Sequence, residues 1–373
     1  MEFGIFFFPS NDQQTDEDKY LLLKSATQFA DEMGFRSVWT PERHFHAFGG
    51  LFPNPSVISA ALAMITRKIQ IRAGSLISPL HHVVRIAEEW AVVDNLSHGR
   101  VAISFGSGWN VDDFVFFPER YATRQAVMYE QIETVRELWR GETITLINSF
   151  GKPVNISLVP KPVQRELDIW VTSSGNVETF TSAGARGANV LTHLMGQDIQ
   201  TLAGRIQAYR SSRERNGFDP DSGKVSLMLH TFLGADVEEV KRTVREPLQG
   251  YLRSAIKLER QATLGGGVIS GGHQLADEQI SERDMADLLE LAFEKYFYSG
   301  ALLGTPSSCR EMVWRLKGIG VDEIACLIDF GLPTSVVMEG LDYLNVLRAS
   351  FEPEALARKQ SEGVSQFMES LDE

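Results

Sequence analysis

The sequence predicts an eight-stranded parallel α/β barrel of the TIM type, on three observations. Short runs rich in β-branched and aromatic residues alternate with longer stretches of helical period along the whole chain, giving eight strand–helix units. Right-handed crossovers make a sheet built this way parallel. No strong dinucleotide-binding glycine fingerprint opens the first unit, which favours a closed barrel over an open doubly wound sheet.

Each element has its own signature. Residues 2–8, EFGIFFF, are apolar but lack the basic flank and cleavage site of a targeting peptide, and are expected to form the first strand. Residues 16–35 carry apolar positions near a 3.6 period, with Gly34 just past the end, which predicts a helix. A strand at 37–39, a helix at 55–67 opened by Pro53-Asn54-Pro55, and a strand at 69–78 follow. Next come a helix at 82–97 closed by His98-Gly99, a strand at 101–106, and a helix at 124–141 closed by Gly141. Residues 142–160 then alternate with period two around Phe150-Gly151-Lys152, which predicts a β-hairpin outside the βα pattern. The pattern resumes with strands at 168–172, 188–193 and 225–233, followed by helices at 176–186, 198–216 and 236–257. Residues 258–283, with Gly265, Gly266, Gly267, Gly271 and Gly272 and few apolar anchors, are expected to be a mobile loop. Helices at 284–299 and 306–318, a strand at 323–328 and a helix at 334–348 complete one domain over 1–349. Residues 350–373 read as a polar tail or linker.

The chain has 373 residues, a length that α/β barrels reach as one domain, and a net charge of −13. That charge argues against nucleic acid and anionic membranes as main partners, because both need a positive footprint. Cys309 and Cys326 are not in CxxC spacing, so no disulfide framework is expected and a reducing cytoplasm fits. No run of 18 apolar residues predicts a membrane span.

In a barrel, chemistry belongs at the carboxyl ends of the strands, and polar residues gather there. Glu42, Arg43, His44 and His46 follow the second strand; Ser75, Ser78, His81 and His82 follow the third. GSGWN (106–110) follows the fourth, TSSGN (172–176) the fifth, His193 and Gln197 the sixth, and Asp329 the eighth. His44, beside Glu42 and Arg43, reads as a proton-handling or ligand-orienting group, against the plainer alternative of a structural histidine. TSSGN offers backbone N–H groups and a helix N-terminus to a phosphate, though the same residues also make an ordinary N-cap. GSGWN resembles a GxG turn, for which a tight turn is the plainer reading. His44-x-His46 and His81-His82 raise the question of a metal, but no HExxH, cysteine pair or clear carboxylate partner accompanies them, so none is expected. Asp94, Ser97, Gly99 and Arg100 read as structural, at the base of the barrel. The stripe Lys241, Arg245, Arg253 and Lys257 reads as a solvated face, with a docking patch as the alternative.

Several segments then occur in an order that resembles the bacterial luciferase-like flavin monooxygenases, from Phe3 to about Leu347. They are FGIFF, VWTPERHFHAFGGLFPNP, SPLHHVVRIAEEWAVVDNLSHGR, GSGWNVDDF, YATRQAVMYEQIETVRELWRGE, GANVLTH and LLGTPSSC. PERHF, FGSGWN and GANVLTHLMGQ resemble most the subgroup of polyketide and nonribosomal-peptide clusters, including the mupirocin-type enzyme.

The resemblance implies a TIM barrel with an excursion hairpin and a mobile insertion before the last strand. It implies FMN as cofactor, bound in its reduced form FMNH2 and supplied by a separate flavin reductase. The implied chemistry runs through a C4a-peroxyflavin, which hydroxylates a substrate or oxidises it in Baeyer–Villiger fashion. His44 stands at the second histidine of the luciferase pair and Arg43 replaces the first, which puts light emission in doubt; with Glu42 these are the implied catalytic residues. Arg124, Ser173, Ser174, Gly175 and Asn176 are implied phosphate contacts, with Asn110 and His193 also facing the cofactor. Gly106 stands where luciferase has its reactive cysteine, and Ser107 where it has a phosphate-contacting arginine. Gly74-Ser75 stands where family members carry a non-prolyl cis peptide beneath the flavin. A substrate tethered to a carrier protein follows from the subgroup alone, and a homodimer is common in this fold. Two alternatives stay open: an F420-dependent oxidoreductase on the same barrel, and a non-catalytic flavin-binding or carrier-binding protein.

Overall fold

The computed structural model describes residues 1–9, 17–264 and 282–352. Along them run β1 (Glu2–Phe6), α1 (Leu21–Met33), β2 (Ser37–Thr40), α2 (Pro55–Ile65), β3 (Gln70–Ile77), α3 (Val83–Ser97) and β4 (Val101–Gly106). They continue with α4 (Arg124–Trp139), β5 (Ile144–Ile147), β6 (Pro153–Ile156), β7 (Asp168–Thr172), α5 (Val177–Ala185), β8 (Asn189–His193), α6 (Ile199–Arg215) and β9 (Val225–Leu233). The last elements are α7 (Val237–Leu264), α8 (Glu282–Ser299), β10 (Leu302–Gly304), α9 (Pro306–Gly318), β11 (Glu323–Leu327) and α10 (Thr334–Ala349).

Strands β11, β1, β2, β3, β4, β7, β8 and β9 pair in parallel in that order, and β9 pairs back onto β11. The sheet therefore closes into the expected eight-stranded barrel. β5 and β6 pair antiparallel as the expected hairpin. Gly34 caps α1 in the left-handed conformation (φ 80°), as its position predicted.

Two features depart from expectation. Helix α7 runs on to Leu264, past the point where a loop was expected to begin. Residues 258–264, LERQATL, are good helix formers, and that propensity outweighs the nearby glycines. The remainder of that predicted loop, 265–281, and the tail beyond 352 lie outside the described residues. The second departure is β10, which pairs with the end of β9, Leu302 opposite Thr231. Three residues leave too little alternation to read as a strand.

Strand side chains alternate between barrel interior and helix layer. The registers carry one inward set around the ring: Phe6 opposite Trp39 and Leu327, Trp39 opposite Arg72, Ser104 opposite Trp170, Thr172 opposite Leu191, His193 opposite Met228, and Leu327 opposite His230. Low in the barrel this set holds a charged plug. Arg72 Nη1 lies 2.5 Å from Glu323 Oε2, and both side chains are fully buried. The guanidinium sits between the rings of Trp39 and Trp170, at 4.7 and 4.3 Å. Ser37 and Ser226 donate hydroxyl bonds to the carboxylate. Burial alone would push the Glu323 carboxyl up; Arg72 and the two hydroxyls outweigh it and hold it below its ordinary value.

The base behaves as read. Asp94 accepts the N–H groups of Val163 (2.6 Å) and Gln164 (2.9 Å), tying the return from the hairpin to α3. Arg100 donates to the carbonyls of Ile69 (2.6 Å) and Thr66 (3.0 Å). The basic stripe on α7 is partly neutralised within the molecule. Lys241 pairs with Glu294 at 2.8 Å, and Arg245 with Glu294 at 2.9 Å and with Glu290. A docking patch built on those two cations loses its basis.

Candidate active site

Pro41 ends β2, and the chain then crosses the mouth of the barrel. Glu42 lies beneath this crossing with its side chain fully buried. Its Oε1 is 2.9 Å from Nε2 of His44 and 2.6 Å from Nε2 of His81, and Oε2 accepts the Ile77 N–H at 2.7 Å. Burial would push the Glu42 carboxyl up, but the charge of His81 and the bonds from His44, His81 and Ile77 prevail and lower it. On His81 burial pulls the pKa down, and the Glu42 carboxylate reverses it to a net rise. The carboxylate thus stays charged and fixes two imidazole rings at once.

His44 packs edge-on against Phe116, with ring centroids 5.0 Å apart, and against Phe45 at 5.6 Å. Phe45 holds a left-handed backbone (φ 55°) while 68% exposed. An exposed aromatic ring in that conformation is uncommon, and such outliers cluster at binding sites.

Arg43 points the other way. Its guanidinium lies 4.9 Å from the Trp109 ring and 5.7 Å from Phe8, and Nη1 is 3.3 Å from Asp113 Oδ2. Asn110 donates to Asp113 Oδ1 at 2.9 Å and accepts the Asp112 N–H, so its side chain serves this loop. Burial raises the Asp113 carboxyl, and Arg43 offsets this only in part.

The floor lies between β3, β4 and β7. The Gly74–Ser75 peptide is cis, as its position implied, and the β3–β4 register shifts across it. Ser75 Oγ is 2.5 Å from Thr172 Oγ1, which is 2.7 Å from Ser104 Oγ, a row of three hydroxyls on adjacent strands. A Cβ at Gly106 would come within 3.0 Å of Ile77 and 3.2 Å of Ser75. Ser107 is half-buried beside it. Small residues and three hydrogen-bonded hydroxyls thus make up the floor at this side of the mouth.

TSSGN forms the N-terminal turn of α5, with Asn176 as its cap accepting the Glu178 N–H at 2.8 Å. Ser173 is buried and its Oγ accepts the Gly175 N–H at 3.2 Å; Ser174 is exposed. Gly175 has φ 110°, and a Cβ there would lie 2.5 Å from Arg205 Nη1. Arg205 is therefore a guanidinium packed on this turn, held by Gln197 Oε1, which the sequence reading missed. Arg124 instead donates to the carbonyls of Gly108 (3.0 Å) and Tyr121 (2.8 Å) and stacks on Tyr121. A helix N-terminus with an adjacent arginine suits a phosphate. Floor and turn together offer the small residues, hydroxyls and helix N-terminus that suit a flavin ring and its phosphate.

His193 belongs to the inward set, half-buried at the end of β8, and burial pushes it down to about 4. Beyond it stand His230, Tyr251, Tyr296 and Asp329, of which only Asp329 was singled out in the sequence. His230 follows β-strand period from the charged plug, which would have flagged it once the barrel register was known.

Residues 1–323 match the family described as luciferase-like monooxygenase. The chain is 33% identical over 325 residues to the alkanal monooxygenase beta chain of Photorhabdus luminescens, spanning 82% of this chain and 93% of that one. It is 25% identical over 349 residues to the oxygenase component of a flavin-dependent trigonelline monooxygenase from Acinetobacter baylyi, 89% and 90% of the two chains. Among solved structures, the oxygenating constituent of 3,6-diketocamphane monooxygenase from Pseudomonas putida, a type II Baeyer–Villiger enzyme in complex with FMN, shares the fold. Its TM-score is 0.72 at 19% identity, over 93% of this chain and 97% of that one. A closed barrel with its polar residues at the mouth, a cis peptide in the floor and a match over residues 1–323 together show that this chain belongs to the luciferase-like monooxygenase family and is a flavin-dependent monooxygenase.

Proposed function

We propose that this chain is the oxygenase of a two-component system. It takes FMNH2 from a separate reductase and transfers one oxygen atom of O2 to a substrate, by hydroxylation or Baeyer–Villiger oxidation. The second oxygen leaves as water. The observation that carries the reading is the Glu42 node, one buried carboxylate holding His44 and His81 beside a floor that suits a flavin.

When bound, the reduced flavin supplies the electrons that activate oxygen. The chain's own residues do the rest. Ser173–Asn176 and Arg205 hold the phosphate, while Ser75, Ser104 and Thr172 present hydroxyls to the ring. Glu42 keeps His44 in one orientation, so that its ring can hold or pass a proton at the reacting oxygen. Phe45 and Phe116, whose rings pack on His44, keep water from that position. The narrower reading places the substrate on a carrier protein of polyketide or nonribosomal-peptide assembly, with the chain acting as a homodimer. Motif resemblance supports it, and exposed Phe45 and Phe116 against His44 suit an apolar acyl arm.

Single turnover with FMNH2 and oxygen, with free and carrier-loaded candidate substrates, tests this by mass spectrometry of products. A substrate gaining one oxygen, with that gain lost in His44→Ala, is expected. Full coupled product from His44→Ala removes the histidine from the mechanism. Tight binding of F420, with none of FMN, replaces the oxygenase reading with hydride transfer.

A further inference from the structure

On the side of the mouth formed by β8, β9 and β11, the inward set carries two imidazoles with unused nitrogens. His230 is fully buried on β9 and His193 ends β8. Their registers place both on the inner face: His193 lies opposite Met228, and His230 is two residues further along β9. His230 Nδ1 is 3.0 Å from the Tyr296 hydroxyl, while its Nε2 is buried with no hydrogen-bond partner among the described residues. His193 Nδ1 is buried and unpartnered in the same sense. A buried polar atom without a partner is uncommon in a folded protein, and one in a binding mouth marks a place for a ligand atom.

The surroundings define that atom. Tyr251 packs edge-on against His230 at 4.6 Å and Phe330 at 5.7 Å, so the walls are aromatic. A neutral imidazole gives or accepts one hydrogen bond at each nitrogen. We propose that His193 Nδ1 and His230 Nε2 form a substrate subsite for an uncharged oxygen, a ketone carbonyl or a hydroxyl. Three further facts agree with an uncharged site. Burial pushes His230 down to about 3 and His193 to about 4, and it pushes Asp329 up to about 8. The inference assigns His193 to the substrate rather than to the cofactor. It rests on the oxygenase reading, and it narrows the substrate to a neutral oxygenated molecule rather than a carboxylate, phosphate or amine.

The test uses the whole chain, labelled with 15N in its histidine rings and loaded with FMN. Cyclohexanone, cyclohexanol, cyclohexanecarboxylate and cyclohexylamine serve as probes, and flavin fluorescence reports FMN binding in the same samples. The ketone and the alcohol are expected to shift the His193 and His230 resonances saturably, and the two ions are not. His230→Phe weakens that response by roughly tenfold and leaves FMN affinity unchanged, while His230→Asn, which keeps an N–H donor, restores part of it. Unmoved histidines in an FMN-loaded sample, or a stronger response to the carboxylate or the amine, overturn the subsite. Absence of FMN binding instead overturns the oxygenase reading, and the probe titration is then read on the flavin-free protein by the same criteria.

Discussion

Glu42 Oε1 lies 2.6 Å from Nε2 of His81, a residue 39 positions later in the chain. The same oxygen lies 2.9 Å from His44, so one carboxylate sets the orientation of an imidazole it borders in sequence and another it meets only through the fold. Replacing it with an isosteric amide separates charge from shape. In Glu42→Gln the raised His81 pKa loses its main support and falls, because burial and the charge of Arg120 then outweigh what Glu89 still contributes. His44 loses an anionic partner, and product formation per FMNH2 drops on the order of a hundredfold, while FMN affinity stays as it was. Histidine NMR titration and single-turnover product yield check both; an unmoved His81 pKa sinks the argument.

The buried plug predicts a pattern of stability. Glu323→Gln leaves Arg72 charged and unpaired between two tryptophans, at a cost of about 3–5 kcal/mol. The double variant Arg72→Met, Glu323→Met removes both charges and the desolvation each suffers, so it is less destabilised than the single change. Urea unfolding of the three proteins decides. A single variant as stable as the parent means that the pair does not hold the barrel.

How much of this was legible varies with distance along the chain. Eight strands, the hairpin and the Gly34 cap followed from local period and turn chemistry, and the barrel from the handedness of its crossovers. Glu42, Arg43 and His44 stood out because three ionisable residues interrupt two apolar segments. Arg72 and Glu323 stayed hidden: each reads alone as a surface charge, and they meet only when strands 251 residues apart close the ring. His230 was hidden by its strand, where SLMLHTFL reads as a buried run. Arg205 sits in a helix rich in arginine, RIQAYRSSRER, and nothing local separates it from Arg210 or Arg213, which bind backbone carbonyls instead. Family resemblance supplied the cis Gly74–Ser75 bond; no local pattern does.

The turn before α5 gives a test of the phosphate cradle. Gly175 has φ 110°, a conformation nearly closed to other residues, and a methyl there meets Arg205. Gly175→Ala costs about 1–2 kcal/mol in backbone strain and displaces the guanidinium. FMN then binds about tenfold more weakly, while riboflavin, which lacks the phosphate, binds as before. Fluorescence titration with the two flavins separates a phosphate effect from general loosening, since equal losses for both point to the latter.

Asp329 ties stability to pH. It lies two residues past the end of the eighth barrel strand, almost fully buried, and its Oδ1 accepts the Phe8 N–H at 2.8 Å. Burial pushes its pKa up to about 8, against about 3.9 in an unfolded chain. Below about pH 4 both states hold the proton and the residue is neutral in its effect on the pH slope. Between about pH 4 and pH 8 the folded protein keeps a proton that the unfolded chain has released, so rising pH favours unfolding across that window. Asp329→Asn keeps an oxygen for the Phe8 N–H and has no proton to lose. Its unfolding free energy, measured in urea at several pH values from 5 to 8, is expected to gain steadily on that of the parent as pH rises. Parallel curves for the two proteins mean that Asp329 is ionised in the folded state, and that the mouth holds a charge on this side.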